Sequence, residues 1–510
     1  MKKGLLGTLI VFLAVFVFGA VFGSVSLAKD TIVVTMNTEL ATTIPFKAKT
    51  SWDYPWYEPV FMRLLKLDTG SGNWVPCITT SWKLLADGKD FEAKIRTDIT
   101  FQNGEPLTAE DVKFSFEQYK DRKNAHVGRS IYNVITDVEI KAPDTLVFHL
   151  SKPYYAWRNL MGGATFIVPK KYYEQVGPDK FSKQPMGSGP FKFVSRAVGE
   201  GATYERWDKH PLFKPPFKKL RFILVPDDTV RTQMLKAGQA DIIWGVPPQD
   251  YAQLQKSDGV TVKSIAYPSF FGLNFVTIHP GPTQNKDLRL AINYAINREE
   301  IAEKLFFGQA TPIYNFWDPT DISYDPSMKY EYNPAKAKEL VKKSGYSPDT
   351  VLRINFHALL PASEVALQAV QNYLKAAGIN TELRQWEGGA LRTAYIKKSK
   401  EAMDMGTNYW PGGGRDPNAR LTLGIKKGSF FSLYESSPEL DKMIVEQQSI
   451  TDETKRLALL KNIYRQLFED PAVCALVSQN LIYAYSNKTE YTWPQYSSQN
   501  FNLWEIKIHD

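Results

Sequence analysis

Short runs of apolar, β-branched residues alternate along most of this chain with stretches of helical periodicity, which is the pattern of an α/β protein. The run TIVVTM from Thr31 predicts a buried strand, and FEAKIR at 91–96 alternates as a half-buried strand does. Residues 144–150, 220–225 and 240–244 predict three more strands. Between the last two, 228–237 has helical spacing and stops at Gly238, so this region predicts a β-α-β unit. The pattern changes near Tyr267, and a second series follows. It has a strand at 351–356, a helix at 365–377 stopped by Gly378, and strands at 379–383 and 402–406. Helices are also expected after the aromatic stretch 50–57 through Leu65, over 286–307, and from Asn333, where Pro334 takes the first helical position. Thr108, with Asp111 three residues on, predicts a capped helix start.

The front of the chain changes the picture. Lys2 and Lys3 precede a run of apolar or small residues from Leu5 to Phe22, and Ser26 and Ala28 stand where a signal peptidase reads small side chains. Residues 1–28 are therefore expected to be a secretory signal peptide, leaving a soluble periplasmic chain that begins at Lys29. Left uncleaved, the same run would nearly span a bilayer. No cysteine follows it, so no lipid anchor is expected. The remaining length exceeds a single core and predicts two or three domains. A net charge of +8, with 62 basic residues scattered among 54 acidic ones, argues against a nucleic-acid surface. Cys77 and Cys474 lie in apolar sequence and read as two buried free thiols, with a pairing as the alternative in an oxidising compartment. The 12 Trp, 26 Tyr and 29 Phe exceed what a core requires and point to an aromatic-lined cavity.

The stretch GTNYWPGGGRDP at 406–417 concentrates the candidate chemistry. Three glycines, Gly412 to Gly414, allow close backbone approach between an aromatic pair, Tyr409 and Trp410, and a charged pair, Arg415 and Asp416. It holds no general base, thiol or hydroxyl nucleophile that stands out, so it suits gripping a small molecule rather than transforming one. It also follows a predicted strand, the edge at which open α/β sheets place ligands. Elsewhere the catalytic motifs are missing. The six histidines stand alone, outside any metal-ligand spacing, and there is no Gly-x-Ser-x-Gly, Walker loop or dinucleotide fingerprint. The sequence reads as a binder, with neither a metal nor another cofactor. Further candidates for ligand contact are Tyr267, Phe270 and Phe271 at the change of pattern, Trp386 after a strand end, and Tyr54 and Trp56 in the early aromatic stretch.

Several stretches in a fixed order now carry a resemblance: SWKLLADGKDFEAKIR at 81–96, FQNGEPLTAEDV at 101–112, GSGPFKF at 187–193, GQADI at 238–242, DLRLAINYAINR at 287–298 and YNPAKA at 332–337. With them the chain resembles the large extracytoplasmic solute-binding proteins of ABC importers, which bind peptides, nickel chelates or oligosaccharides. The resemblance implies a two-lobed periplasmic-binding-protein fold of type II with three domains. The first lobe would comprise 29–50, 169–265 and 487–510, with an inserted domain at 51–168, and the second lobe 266–486. It also implies a monomer working with a membrane permease and ATPase subunits. Two positions depart from the family. Asn297 stands where members usually have Asp, and Gly413 stands where peptide binders carry the Asp that holds the peptide's α-ammonium. A peptide or peptide-like ligand, an oligosaccharide, and an exported hydrolase stay open as readings.

Overall fold

Two mixed sheets, joined by two adjacent chain crossings, organise the protein. The computed structural model describes residues 29–509 except 86–87, 164, 358–362, 412–414, 430 and 495–499. The expected signal peptide and the position of Gly413 thus lie outside the described residues. The first sheet takes strands β1 (Thr31–Met36), β2 (Phe191–Ala197), β3 (Gly201–Arg206), β4 (Lys219–Leu224), β5 (Ile242–Trp244) and β6 (Val260–Ile265). The second takes β7 (Ser269–Phe275), β8 (Ala310–Pro312), β9 (Val351–Phe356), β10 (Asn380–Gln385), β11 (Met405–Pro411) and β12 (Val473–Gln479). A last strand, β13 (Leu481–Ser486), returns to the first sheet. The orders are β6-β13-β5-β1-β4-β3-β2 and β8-β12-β7-β11-β9-β10. Residues 481–486, expected in the second lobe, are therefore a strand of the first sheet, flanked on both sides by antiparallel partners.

The predicted β-α-β units form as expected. β4 and β5 both lie parallel to β1, with the helix Asp228–Lys236 between them in sequence, and β9 and β10 pair in parallel around the helix Ser363–Ala376. A four-stranded antiparallel sheet runs in the order Thr79–Leu84, Asp90–Ile95, Thr145–Leu150 and Ile135–Ala142. Its Phe91 ring stacks on Phe148 at 4.6 Å and on Trp157 at 4.7 Å. One continuous apolar core joins this sheet to the first one, from Ile32 and Phe222 through Trp56 to Phe91 and Phe148. The second sheet packs its own core of Leu273, Phe275, Ile292, Leu352 and Ile354. Cys77 and Cys474 are both free and buried, and burial pushes the Cys77 thiol up to about 11.

Two expected helices are corrected. Only Tyr54–Tyr57 is helical in the 54–65 region, and Leu65 already belongs to the short strand Leu65–Leu67. Pro59 lacks an N–H for a following turn, and every residue from 53 to 65 is buried, so no solvated face exists for an amphipathic helix. The helix over 286–307 is broken. Lys286–Ala295 stops, Ile296 and Asn297 are extended, and the Asn297 side chain accepts the Glu300 N–H at 3.1 Å to start Arg298–Glu300. A wider turn, Ile301–Leu305, follows. Asn297 thus has a capping role, and Asn suits it as well as Asp does. By contrast, Thr108 and Asp111 do cap Ala109–Lys120 reciprocally, as the spacing predicts.

Candidate ligand-binding site

Strand directions locate the site. β6 is antiparallel to β13, and β13 to β5, so β6 runs with β1, β4 and β5 and leaves the first sheet at their C-terminal edge. The chain then crosses through 266–268 and enters β7. β7 is antiparallel to β11, and β11 runs with β9 and β10, so β7 begins at the C-terminal edge of those three. Both sheets therefore turn the C-terminal ends of their parallel strands toward one crossing. Backbone groups and loops at such ends are free of the ladder and available to a ligand. The return crossing, at Asn480, lies alongside. Its N–H donates to the Gln309 carbonyl at 3.0 Å, its side chain donates to Ser264 Oγ at 3.0 Å, and Ser478 Oγ donates to the Tyr267 carbonyl at 3.0 Å.

The candidate loop meets this crossing directly. β11 extends beyond its pairing with β9 and ends opposite the start of β7, with Ser269 against Pro411, Phe270 against Trp410 and Phe271 against Tyr409. The aromatic pair expected in a loop is thus part of a strand, and four of the candidate positions become cross-strand neighbours. The Phe270 and Phe271 rings are fully buried, and Phe270 meets Phe316 edge-on at 5.1 Å. These two rings pack the core behind the site. Tyr267 is also buried, in the core of the first sheet, and contributes its carbonyl to the crossing. Trp386, just past the end of β10, is half-buried and donates its indole N–H to Asn355 Oδ1 at 2.9 Å.

The charged pair divides its work. Arg415 is exposed, and its Nε donates to the Thr320 carbonyl at 3.2 Å. Asp416 instead accepts both terminal nitrogens of Arg456, each at 2.8 Å, and the Asn418 N–H at 2.9 Å. Its carboxylate is committed to ordering the segment after the glycines. Tyr54 and Trp56 lie apart from the crossing candidates. Tyr54 stacks on His126, and Trp56 meets Phe222 of β4 at 5.2 Å, so both are core residues tying the early aromatic stretch to the first sheet.

Sequence reading passed over two residues at the strand ends. Trp244 closes β5, stacks on the half-buried Trp52 at 5.5 Å, and has a buried indole N–H without an acceptor among the described residues. His357 follows β9, has a buried Nδ1 without a partner among the described residues, and burial lowers its basicity. The signal for both was positional: each is a ring with a polar atom immediately at the end of a parallel strand. Among the described residues no group of three His, Cys, Asp or Glu is placed to hold a metal. Nor is any described helix long and apolar enough to cross a membrane.

Comparisons with known proteins agree with this geometry. Residues 73–430 match the family profile described as bacterial extracellular solute-binding proteins, family 5 Middle. The chain is 24% identical over 445 residues to the nickel-binding periplasmic protein of Escherichia coli K12, covering 81% of this chain and 82% of that one. It is 24% identical over 490 residues to the glutathione-binding protein GsiB of Escherichia coli O6:K15:H31, covering 93% and 94%. Among solved structures, the ABC transporter-associated periplasmic binding protein DppA of Helicobacter pylori, in complex with the peptide STSA, superposes with a TM-score of 0.81. It does so at 22% identity, over 95% of this chain and 99% of that one.

Proposed function

The chain belongs to the bacterial extracellular solute-binding proteins of family 5, and on that premise we propose that it is the substrate-binding component of an ABC importer. It captures a peptide or peptide-like solute between its two halves and hands it to a membrane permease. The observation that carries this reading is the convergence of both C-terminal sheet edges on one double crossing. Two rigid bodies hinged at such a crossing can enclose a ligand and release it by opening. The relatives support the solute class, since they are named for glutathione and nickel, and the H. pylori protein holds a peptide. Binding, not turnover, is the work of the family. Trp410 and Arg415 are proposed to face the ligand, with Trp386 at the end of β10, two strands from β11, and Trp244 at the end of β5 in the other sheet.

Titration calorimetry of the mature protein with trialanine, N-acetyl-trialanine, glutathione and maltotriose tests the reading. At least one peptide or peptide-like compound is expected to bind with unit stoichiometry. Binding of maltotriose alone would overturn the peptide reading in favour of an oligosaccharide receptor, and hydrolysis of a bound compound would overturn the assignment as a binder.

A further inference from the structure

One segment outside the crossings also joins the two halves. Residues 152–155 follow the strand Thr145–Leu150 of the four-stranded sheet, and they reach across to the second half of the molecule. The Tyr155 N–H donates to the Gln448 carbonyl at 2.9 Å. Lys152 donates to the Gln448 side-chain carbonyl, and Asn418 donates to Tyr154 Oη at 3.1 Å. Beside them Gly88, at the turn of the same sheet, lies close enough to Thr451 that a Cβ would touch its methyl at 3.7 Å.

The centre of this contact is Arg456, which is 1% exposed. One edge of its guanidinium holds Asp416 through two bonds of 2.8 Å, and Nη2 also donates to Gln447 Oε1 at 2.7 Å. Its flat face is covered from the other half by the Tyr155 ring, 4.0 Å from Cζ. Gln447 in turn donates to Asn418 Oδ1 at 2.7 Å, and Asn418 is the residue that reaches Tyr154. Asp416 lies two residues past the glycines of the candidate loop. A planar cation fixed by a bidentate carboxylate presents a fixed face to an aromatic ring, whereas a cation free to rotate presents none.

We propose that residues 152–155 are a latch that holds the two halves together at a contact separate from the crossings, and that Arg456 is the positioning residue through which the latch responds to the ligand loop. The assignment of the loop rests on the function proposed above; the latch does not. A ligand contacting the segment that carries Asp416 acts on the Arg456 platform beneath Tyr155, and by reciprocity a closed latch changes the affinity of that segment for the ligand. Closure is then coupled to loop occupancy through a contact that belongs to neither crossing.

The test uses the mature chain without ligand, labelled for single-molecule energy transfer at Lys209→Cys in the first half and Lys375→Cys in the second. Both positions are exposed, and the native Cys77 and Cys474 are buried. Wild type is expected to show a closed population, and Tyr155→Ala to lower its closed-to-open ratio about tenfold at unchanged melting temperature. Asp416→Asn is expected to lower the ratio too, while the double variant is no more open than Tyr155→Ala alone, because both act through Arg456. Lys152→Met, at the edge of the contact, should lower it less. A wild type lacking any closed population, or a Tyr155→Ala ratio within about twofold of wild type, would overturn the latch. Multiplying effects in the double variant would overturn the role of Arg456. No ligand enters this measurement, so failure of every peptide in calorimetry would overturn the function and leave this result standing.

Discussion

At the scale of single residues, the glycine at position 413 makes the sharpest demand. A buried ammonium needs a partner, and the nearest carboxylate in the chain, Asp416, is already held by Arg456. Arg415 adds positive charge at the same loop and suits a carboxylate or polar oxygens. N-acetyl-trialanine and glutathione are therefore expected to bind more tightly than trialanine, and Gly413→Asp to reverse that order by roughly tenfold or more. Calorimetry decides it. Tight binding of trialanine to wild type, lost on acetylation, would sink the idea. Buried histidines make a second demand. Burial lowers His126 from 6.5 to about 3 and His210 from 6.5 to about 4. An unfolded imidazole takes up a proton that these folded ones refuse, so their stability is complete above 6.5 and is lost as pH falls below it. Asp321, raised by burial from 3.8 to about 6, works the other way, because it is the folded state that holds its proton longer and stability declines as pH rises through that range. Burial also raises Asp53 and Glu58, and acidic neighbours raise His149, all of which act in the same sense as Asp321. Burial lowers His357 in the sense of His126 and His210. The large shifts of His126 and His210 decide the balance. The melting temperature should fall between about pH 7 and about pH 5, and His126→Gln should flatten the slope. A melting temperature that rises over this interval would contradict the balance.

At the scale of elements, Gly272 shows what the central strand of the second sheet tolerates. β7 runs between β11 and β12, and its register shifts between Phe271 and Gly272. A Cβ there would lie 2.6 Å from the Cys474 carbonyl oxygen and 2.9 Å from Ala475 Cα, both backbone atoms of β12. Gly272→Ala is expected to cost about 1–3 kcal/mol, read by urea denaturation, because backbone cannot step aside as a flexible side chain can. An unchanged midpoint would mean that the irregularity absorbs the methyl group. The same element shows how far sequence carries. The strands and the β-α-β units were legible, because buried parallel strands write themselves as apolar runs and the helices between them stop at Gly238 and Gly378. The helix over 286–307 was not, because an extended Ile296 leaves the apolar spacing nearly intact and only the Asn297 cap marks the break. For the site, it was legible that the 406–417 stretch lies at a sheet edge, but not that its first half, 406–411, is the strand itself. What each side chain does there was not: Phe270 and Phe271 look like ligand aromatics in sequence and are core, while Asp416 looks free and belongs to Arg456, forty positions on. Pairings at that distance leave no local pattern.

At the scale of the whole molecule, closure around a ligand should be measurable as a smaller radius of gyration by small-angle scattering, once calorimetry has supplied a binding compound. Two crossings side by side restrict the halves to swinging about one line. A radius unchanged at saturation would count against enclosure. The place of β13 has a further consequence, and it concerns time. The strand that lies between β5 and β6 comes from residues 481–486, near the far end of the chain. Ribosomes deliver β1 first and β13 last, so for most of synthesis the first sheet waits in two separate pieces with unsatisfied edges. The second sheet lacks only β12 once residue 411 has been made, and it is complete by residue 479. The half that starts being made first is thus finished last, and a nascent chain released early is left with a gap where its seventh strand belongs.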